Sequence, residues 1–565
     1  MARPATAAPA GTAALAEQRR AQAGLAASGL SVLLALTVAV LGPSLVEPAL
    51  SGKAGQPPWS AAAHPSPYLV VALSIAAVAT ATAGLAISMR AARLGWMVSP
   101  RVLLTAGILA AAAFAFVPPF GSADHLSYAA YGRIAALGHD PYVMTPHALA
   151  QLGDPVGRAV RQFQSTPSVY GALATAGQLL ASRIGGTSVR LTVFVLSVLN
   201  VIAFAITGLL LHWLARGDRG RQLRAALLWS ANPLLLVVLA GGEHVDSQAV
   251  LFMIAALAAF SFCSLTSPSW AATVVPAVAA GALIGLAFAV KIAMVLAGAG
   301  LATACLLAWQ QRRQVGQGSA AGHPARSSRA GPEPASSDRG RAEKLRLLAV
   351  AGGLAAGFGV TAGASLAIWG VGSISPSLKA GSMTSFGSPW RAVRAALGLG
   401  LSSASAEDVV KVAAVALALV LVVLLLRPLA GQVTPTSLLA PGGGRLAGWM
   451  RPGEPVPIYD LAVACAAAFA IAWLFSWPYV LPWYDSLGWP LLALLAWSEL
   501  DWLMLARTSA LAFGYLTGTG ATLPGGLRWL QTVVREGITP VVLLLCVILL
   551  IRAVLPARTA KAMRS

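Results

Sequence analysis

Residues 103–142 read LLTAGILAAAAFAFVPPF and then GSADHLSYAAYGRIAALGHDPY. The first half is an apolar run of about the length that crosses a bilayer core. The second half places Asp124, His125, Arg133, His139 and Asp140 directly at the mouth of that run. Such groups are scarce elsewhere. Of 565 residues, 57% are hydrophobic and only 10% charged, and the mean hydropathy is +0.74. Soluble domains carry about 25% charged residues. Apolar runs of similar length recur along the chain, which sets the fold class as an all-α polytopic membrane protein.

The pattern predicts spans at about 28–47, 68–89, 102–119, 190–214, 225–240, 248–265, 272–289, 293–309, 347–370, 409–427, 458–476, 484–504, 507–520 and 537–555, some 12 to 14 crossings. The net charge of +20 follows from basic stretches beside these runs: Arg90 and Arg93, RGDRGRQLR (216–224), QRRQVGQ onward (311–346) and RTAKAMRS (558–565). Basic loops mark the cytoplasmic side. A nucleic-acid partner is not expected, since no basic-aromatic interleaving occurs. Placing the N-terminus inside puts all these loops in the cytoplasm by parity. The expected organisation is a disordered cytoplasmic arm (1–26), a transmembrane block (27–309) with a long outward loop (120–189), a flexible basic linker (310–346), a second block (347–557) and a cytoplasmic tail (558–565). The four cysteines lie in apolar runs and read as small buried side chains.

With this topology the polar clusters gather on the extracytoplasmic side. Residues 126–137 are expected as an interfacial helix, with Tyr128 and Tyr131 spaced for the headgroup level. Further amphipathic turns are expected at 155–164 and 171–184. Two roles fit Asp124: a helix cap, or a general base within reach of an acceptor hydroxyl. In GGEHVDS (241–247), Glu243, His244 and Asp246 follow an Asn-Pro break. They could hydrogen-bond a sugar or phosphate, or hold a divalent metal, although no metal is required. Lys291 interrupts a long apolar stretch; it either snorkels or meets an anion such as a lipid phosphate. Arg391, Arg394 and Lys379 add outward cations. SWPYVLPWYDS (476–486), with Trp483 and Tyr484, fits an aromatic belt or a platform for a sugar or prenyl chain.

Several strings carry a resemblance. They are D-x-x-S-Y-A-A-Y-G-R-x-x-x-x-G-H-D-P-Y from Asp124 to Tyr142, TPSVYGAL (166–173), NPLLLVVLAGGEHVDS (232–247), GLAFAVKIAMVL (285–296) and PWYDSLGWPLL (482–492). In this order the chain resembles the GT-C type glycosyltransferases. Within them it is similar to the actinobacterial polyprenol-phosphomannose-dependent α-1,6-mannosyltransferases of lipomannan assembly. Val245 stands where relatives often carry Asn, and Ala172 where they often carry Pro. The resemblance implies transmembrane helices with interfacial helices in the first outer loop. It implies a polyprenyl phosphomannose donor, a lipid-linked α-1,6-mannan acceptor and inversion at the anomeric carbon. Asp124 would be the base, and Lys291, Arg391 and Arg394 the donor-phosphate contacts. His125, Tyr128, Tyr131, Arg133, Asp140, Tyr142, Tyr170, His244, Asp246, Trp483 and Tyr484 would line the sugar and acceptor site. A different polyprenyl-phosphate sugar such as arabinose, or a lipid-linked sugar flippase, is the alternative. Either way the chain is expected in the plasma membrane, among membrane lipid, with its active site outside.

Overall fold

The computed structural model describes residues 10–321, 336–381, 383–430, 439, 456–516 and 523–555. No strand occurs among them. The first block contains α1 (Ala10–Leu41), α2 (Pro67–Arg93), α3 (Pro100–Ala115), α4 (Asp124–Ala136), α5 (Pro146–Gln151), α6 (Pro155–Ala159), α7 (Ala172–Gly185) and α8 (Val189–Leu214). Next come α9 (Arg219–Ala225), α10 (Pro233–Leu235), α11 (Asp246–Phe260), α12 (Ala271–Val290) and α13 (Val295–Ala321). After the linker lie α14 (Ser336–Trp369), α15 (Ser375–Ala380), α16 (Trp390–Leu397), α17 (Ser403–Ala430) and α18 (Ile458–Ser476). The chain then forms α19 (Trp489–Ala493), α20 (Glu499–Gly514) and α21 (Thr539–Val554).

Among the described residues ten helices are long and apolar enough to cross a membrane, and α3 and α11 are shorter apolar helices. These twelve match twelve of the expected spans, so the all-α polytopic plan holds. The helices begin where local chemistry dictates. Ser66 accepts from the Leu69 amide ahead of Pro67, and Ser188 accepts from the Leu191 amide. They pack closely through small residues, as helices in lipid do. A Cβ on Gly281 would lie 2.1 Å from the Leu354 oxygen, and one on Gly357 would lie 2.0 Å from that of Val278. The α12 and α14 backbones therefore touch.

Three expectations are corrected. The arm expected to be disordered through residue 26 is helical from Ala10. The linker narrows, because α13 runs to Ala321 and α14 starts at Ser336; residues 322–335 and the tail lie outside the described residues. Finally, 484–504 and 507–520 are not two helices. A 3₁₀ turn (Pro482–Leu487), the short α19 and a loop precede one helix, α20. Gly488 and Pro490 disfavour a continuous helix there. Ser498 and Asp501 form a capping box that starts α20 afresh.

That irregular segment is buried, as non-helical backbone at membrane depth must be. Its polar groups are met by protein. Arg224 donates to the Leu492 carbonyl from Nη2 at 2.7 Å and pairs with Asp501 at 2.7 Å. Asp485 accepts from Arg507 Nε at 2.9 Å and from the Thr508 hydroxyl at 2.7 Å.

Candidate active site

The site begins where α3 gives way to α4. Pro118 and Pro119 stop the apolar helix, and α4 starts at Asp124. Asp124 is not the cap. The Ser122 hydroxyl accepts from the Asp124 amide at 3.1 Å, which leaves the carboxylate uncommitted to its own helix. Its side chain is 14% exposed, and His244 Nδ1 lies 3.6 Å from Oδ2. Burial pushes the Asp124 carboxyl up to about 6; Ser122 and the Lys291 charge pull it down, while Asp246 raises it.

His244 and Asp246 come from the chain reversal between the π-helical turn at Leu236–Ala240 and α11. Glu243 adopts a φ of +56°, an uncommon value for a residue with a side chain, and its carbonyl accepts from Asn200 Nδ2 at 3.3 Å. The reversal lays the His244 ring flat on Trp483, centroids 3.5 Å apart and planes 11° from parallel. Burial, with the Lys291 charge nearby, lowers the His244 pKa and favours the neutral imidazole.

Lys291 breaks the chain between α12 and the next turn, with extended φ and ψ of −146° and 123°. The break brings its ammonium 2.5 Å from Asp246 Oδ1 and 3.6 Å from the centre of the Tyr484 ring. This is a charge-assisted contact on one side and a cation–π contact on the other. The Gly171 amide donates to the Val290 carbonyl at 3.0 Å, which pins Tyr170 beside Lys291. Gly171 must be glycine for this, since a Cβ there would lie 2.3 Å from the Ala289 oxygen.

Asp124 and Lys291 open on a cavity of ≈ 550 Å³, which the expected sugar-site residues His244 and Asp246 do not line. Asp124, Tyr128, Tyr131, Tyr170 and Lys291 line it together with Trp483 and Tyr484. Most of the rest is apolar and aromatic, including Ile292, Val295, Leu296, Leu378, Trp473 and Trp477. Tyr170 donates to the Tyr128 hydroxyl at 3.2 Å and Tyr131 to the Thr166 carbonyl at 3.0 Å, fixing the rings in place. Tyr128 and Tyr131 therefore face a cavity; both are buried, which corrects the headgroup placement.

The other expected residues lie elsewhere. His125 is fully buried, neither ring nitrogen has a hydrogen-bond partner, and burial pushes it down to about 3. Arg133 is tied to Asp154 at 2.7 Å. Asp140 accepts from the Tyr142 amide at 2.8 Å, closing a turn, and Tyr142 bonds Thr175 at 2.9 Å. None of these four lines the cavity. Arg391 and Arg394 do not line it either; they face Glu536 at 3.9 Å and Glu407 at 3.6 Å. Nor do Glu243, His244 and Asp246 form a metal set: among the described residues no three His, Cys, Asp or Glu side chains converge as ligands. Asp246 is engaged by Lys291 and His244 by Trp483. Sequence reasoning missed Lys411, which lines the cavity from α17. Its signal is the one that marked Lys291, a lysine entering an apolar run.

Residues 21–307 match the family model described as Alpha-(1->6)-mannopyranosyltransferase, N-terminal domain. The chain is 27% identical over 135 residues to the Alpha-(1->6)-mannopyranosyltransferase A of Corynebacterium glutamicum. That alignment covers 24% of this chain and 27% of the relative. No solved structure matches the chain. The span matched by the family model contains Asp124, the His244 reversal and Lys291, and on that match the chain belongs to the α-(1→6)-mannopyranosyltransferase family.

Proposed function

We propose that this chain transfers mannose from polyprenyl phosphomannose to the 6-hydroxyl of a lipid-linked α-1,6-mannan, on the extracytoplasmic side, inverting the anomeric carbon. One observation carries the reading. The carboxylate of Asp124 and the ammonium of Lys291 face a single cavity whose remaining wall is largely apolar and aromatic. A sugar joined to a lipid through phosphate needs all three.

In the reaction the acceptor oxygen attacks the anomeric carbon while Asp124 takes its proton. The bond from that carbon to the phosphate oxygen breaks, and its electron pair leaves with polyprenyl phosphate. A carboxylate near 6 is ionised at neutral pH yet basic enough to accept the proton. Lys291 is placed to stabilise charge developing on the leaving phosphate, and Asp246 and Tyr484 hold it there. Neutral His244, braced on Trp483, stands behind Asp124 without cancelling its charge. The paired Arg391 and Arg394 drop out of the donor site. Trp473 and Trp477 offer faces to a sugar or a prenyl chain.

The test is transfer of labelled mannose from polyprenyl phosphomannose to a short α-1,6-mannoside. Membranes with the wild type are compared with membranes holding equal amounts of Asp124→Asn. Transfer by the wild type and its loss in the variant is expected. Equal transfer by both would remove Asp124 as the base, and no transfer by either would overturn the donor and acceptor.

A further inference from the structure

A second opening adjoins the cavity. It is a groove of ≈ 550 Å³ lined by Val371, Ile374, Ser375, Leu378, Lys379 and Lys411. Leu378 and Lys411 line both spaces, so groove and cavity adjoin. The groove lies between the segment leading through α15 and the first turns of α17. It has two chemical characters. Val371 and Leu378 are 78% and 63% exposed, far more than buried packing would leave. Lys379 and Lys411 bring two ammonium groups to the same wall. Lys411 already faces Asp408 at 3.2 Å and Glu407 at 3.5 Å from one side of α17. Lys379 is engaged as well. An ammonium has three donors in rotatable positions, so each lysine retains capacity for an anion in the groove.

The helix that carries Leu378 and Lys379, α15, is tied to the catalytic loop. Ser377 donates to the Val169 carbonyl at 2.6 Å, one residue before Tyr170. The end of α14 is likewise tied to that loop, through the edge-on contact of Trp369 with Tyr142. One wall of the groove is therefore joined to the loop that carries Tyr170.

We propose that this groove is a second phosphate subsite, which receives the polyprenyl phosphate released by transfer. The inference rests on the function proposed above. Apolar walls and two cations suit an amphiphile with an anionic head. Charge selects the product over other lipids. A phosphate monoester carries about −1.5 to −2 at neutral pH, whereas the sugar-linked donor and ordinary phospholipids are diesters with a single phosphate charge. Two lysines favour the more highly charged head. Moving the product from Lys291 to the lysine pair frees the catalytic cation for the next donor.

The probe is farnesyl phosphate bearing a photoactivatable diazirine, applied to the detergent-solubilised full chain. Labelled peptides are mapped by mass spectrometry. Labelling is expected within 371–379. It should fall roughly tenfold in Lys379→Gln/Lys411→Gln, the scale for losing two partly exposed charge contacts. It should return in Lys379→Arg/Lys411→Arg, which preserves both charges. Unlabelled farnesyl phosphate should compete, and farnesol and phosphatidylglycerol should compete at least several-fold less well. Groove labelling that persists in the double glutamine variant overturns the proposal. So does labelling confined to residues around Lys291, or equal competition by phosphatidylglycerol, which would make the groove a general phospholipid contact. No sugar or acceptor is present in this assay. A failed groove with intact mannose transfer sinks this subsite alone, whereas absent transfer sinks the reading on which it rests.

Discussion

Two ion pairs flank the dipeptide Tyr484–Asp485, and they are built in opposite ways. Arg507 and Asp485 are sealed, with side chains 3% and 0% exposed. Both Asp485 oxygens are occupied, and Thr508, which fills one of them, is itself held by the Trp489 indole at 3.1 Å. Lys291 and Asp246 are 14% and 4% exposed, and the ammonium faces a cavity as well as its partner. A sealed pair fixes backbone that has no helix to satisfy it. An open pair keeps donor capacity for something that arrives. The charges are similar; what differs is that one cation is enclosed and the other opens on a cavity.

The comparison can be broken or sharpened by substitution. The largest expected effect is at the open site: Asp124→Asn should lower the transfer rate by about 10²–10⁴-fold, the usual contribution of a general base. The variant should keep the wild-type melting temperature, since Asp124 caps nothing. Lys291→Gln should cost about 10²-fold in rate by removing one preplaced cation, and steady-state kinetics should place most of that loss in kcat. At the sealed pair the loss should appear in stability. Arg507→Leu should destabilise the solubilised protein by about 3–5 kcal/mol, because Asp485 is left buried without a counter-charge. Arg507→Leu combined with Asp485→Leu should recover most of it in the same melting assay. If the single change altered only the rate, the two pairs would not differ in kind.

The pH profile gives a smaller effect. Asp124 acts as a base only when ionised, and burial raises its pKa to about 6. Transfer should be on its plateau above that value and fall about tenfold per unit as pH drops below it. An acid limb near 4 would mean that the carboxylate is solvated during turnover. Least of all, Arg391→Gln should change the rate less than about twofold, because its exposed contact with Glu536 lies off the cavity.

Much of this was legible in the sequence. Apolar length identified twelve helices, and an out-of-place charge identified both Asp124 and Lys291. The remainder depended on partners distant along the chain. Nothing near Arg391 announces Glu536, and nothing near Arg133 announces Asp154, so outward cations looked available when they were engaged. Tyr128 and Tyr131 fit a headgroup pattern because helical spacing gives a face but not what the face meets. The 484–504 segment was read as one span because its composition is apolar, and composition does not reveal that Arg224 and Arg507 stand ready to satisfy bent backbone and a buried carboxylate. Lys411 fell inside the expected span 409–427 and was not singled out, because apolar length alone does not show that a cavity opens beside its first turns.

The Ser122 hydroxyl has a consequence of its own. It anchors the first amide of α4 and also restrains how far burial lifts the neighbouring carboxyl. Under the proposed mechanism it is thus a setting for the working range of the reaction that lies outside the reacting groups. Taking it away with Ser122→Ala leaves Asp124 in place but lets desolvation act with less opposition, so the acid limb of activity moves to higher pH. A lineage living in more alkaline or more acidic surroundings could retune the same machinery at position 122 and leave every group that touches sugar or phosphate unchanged.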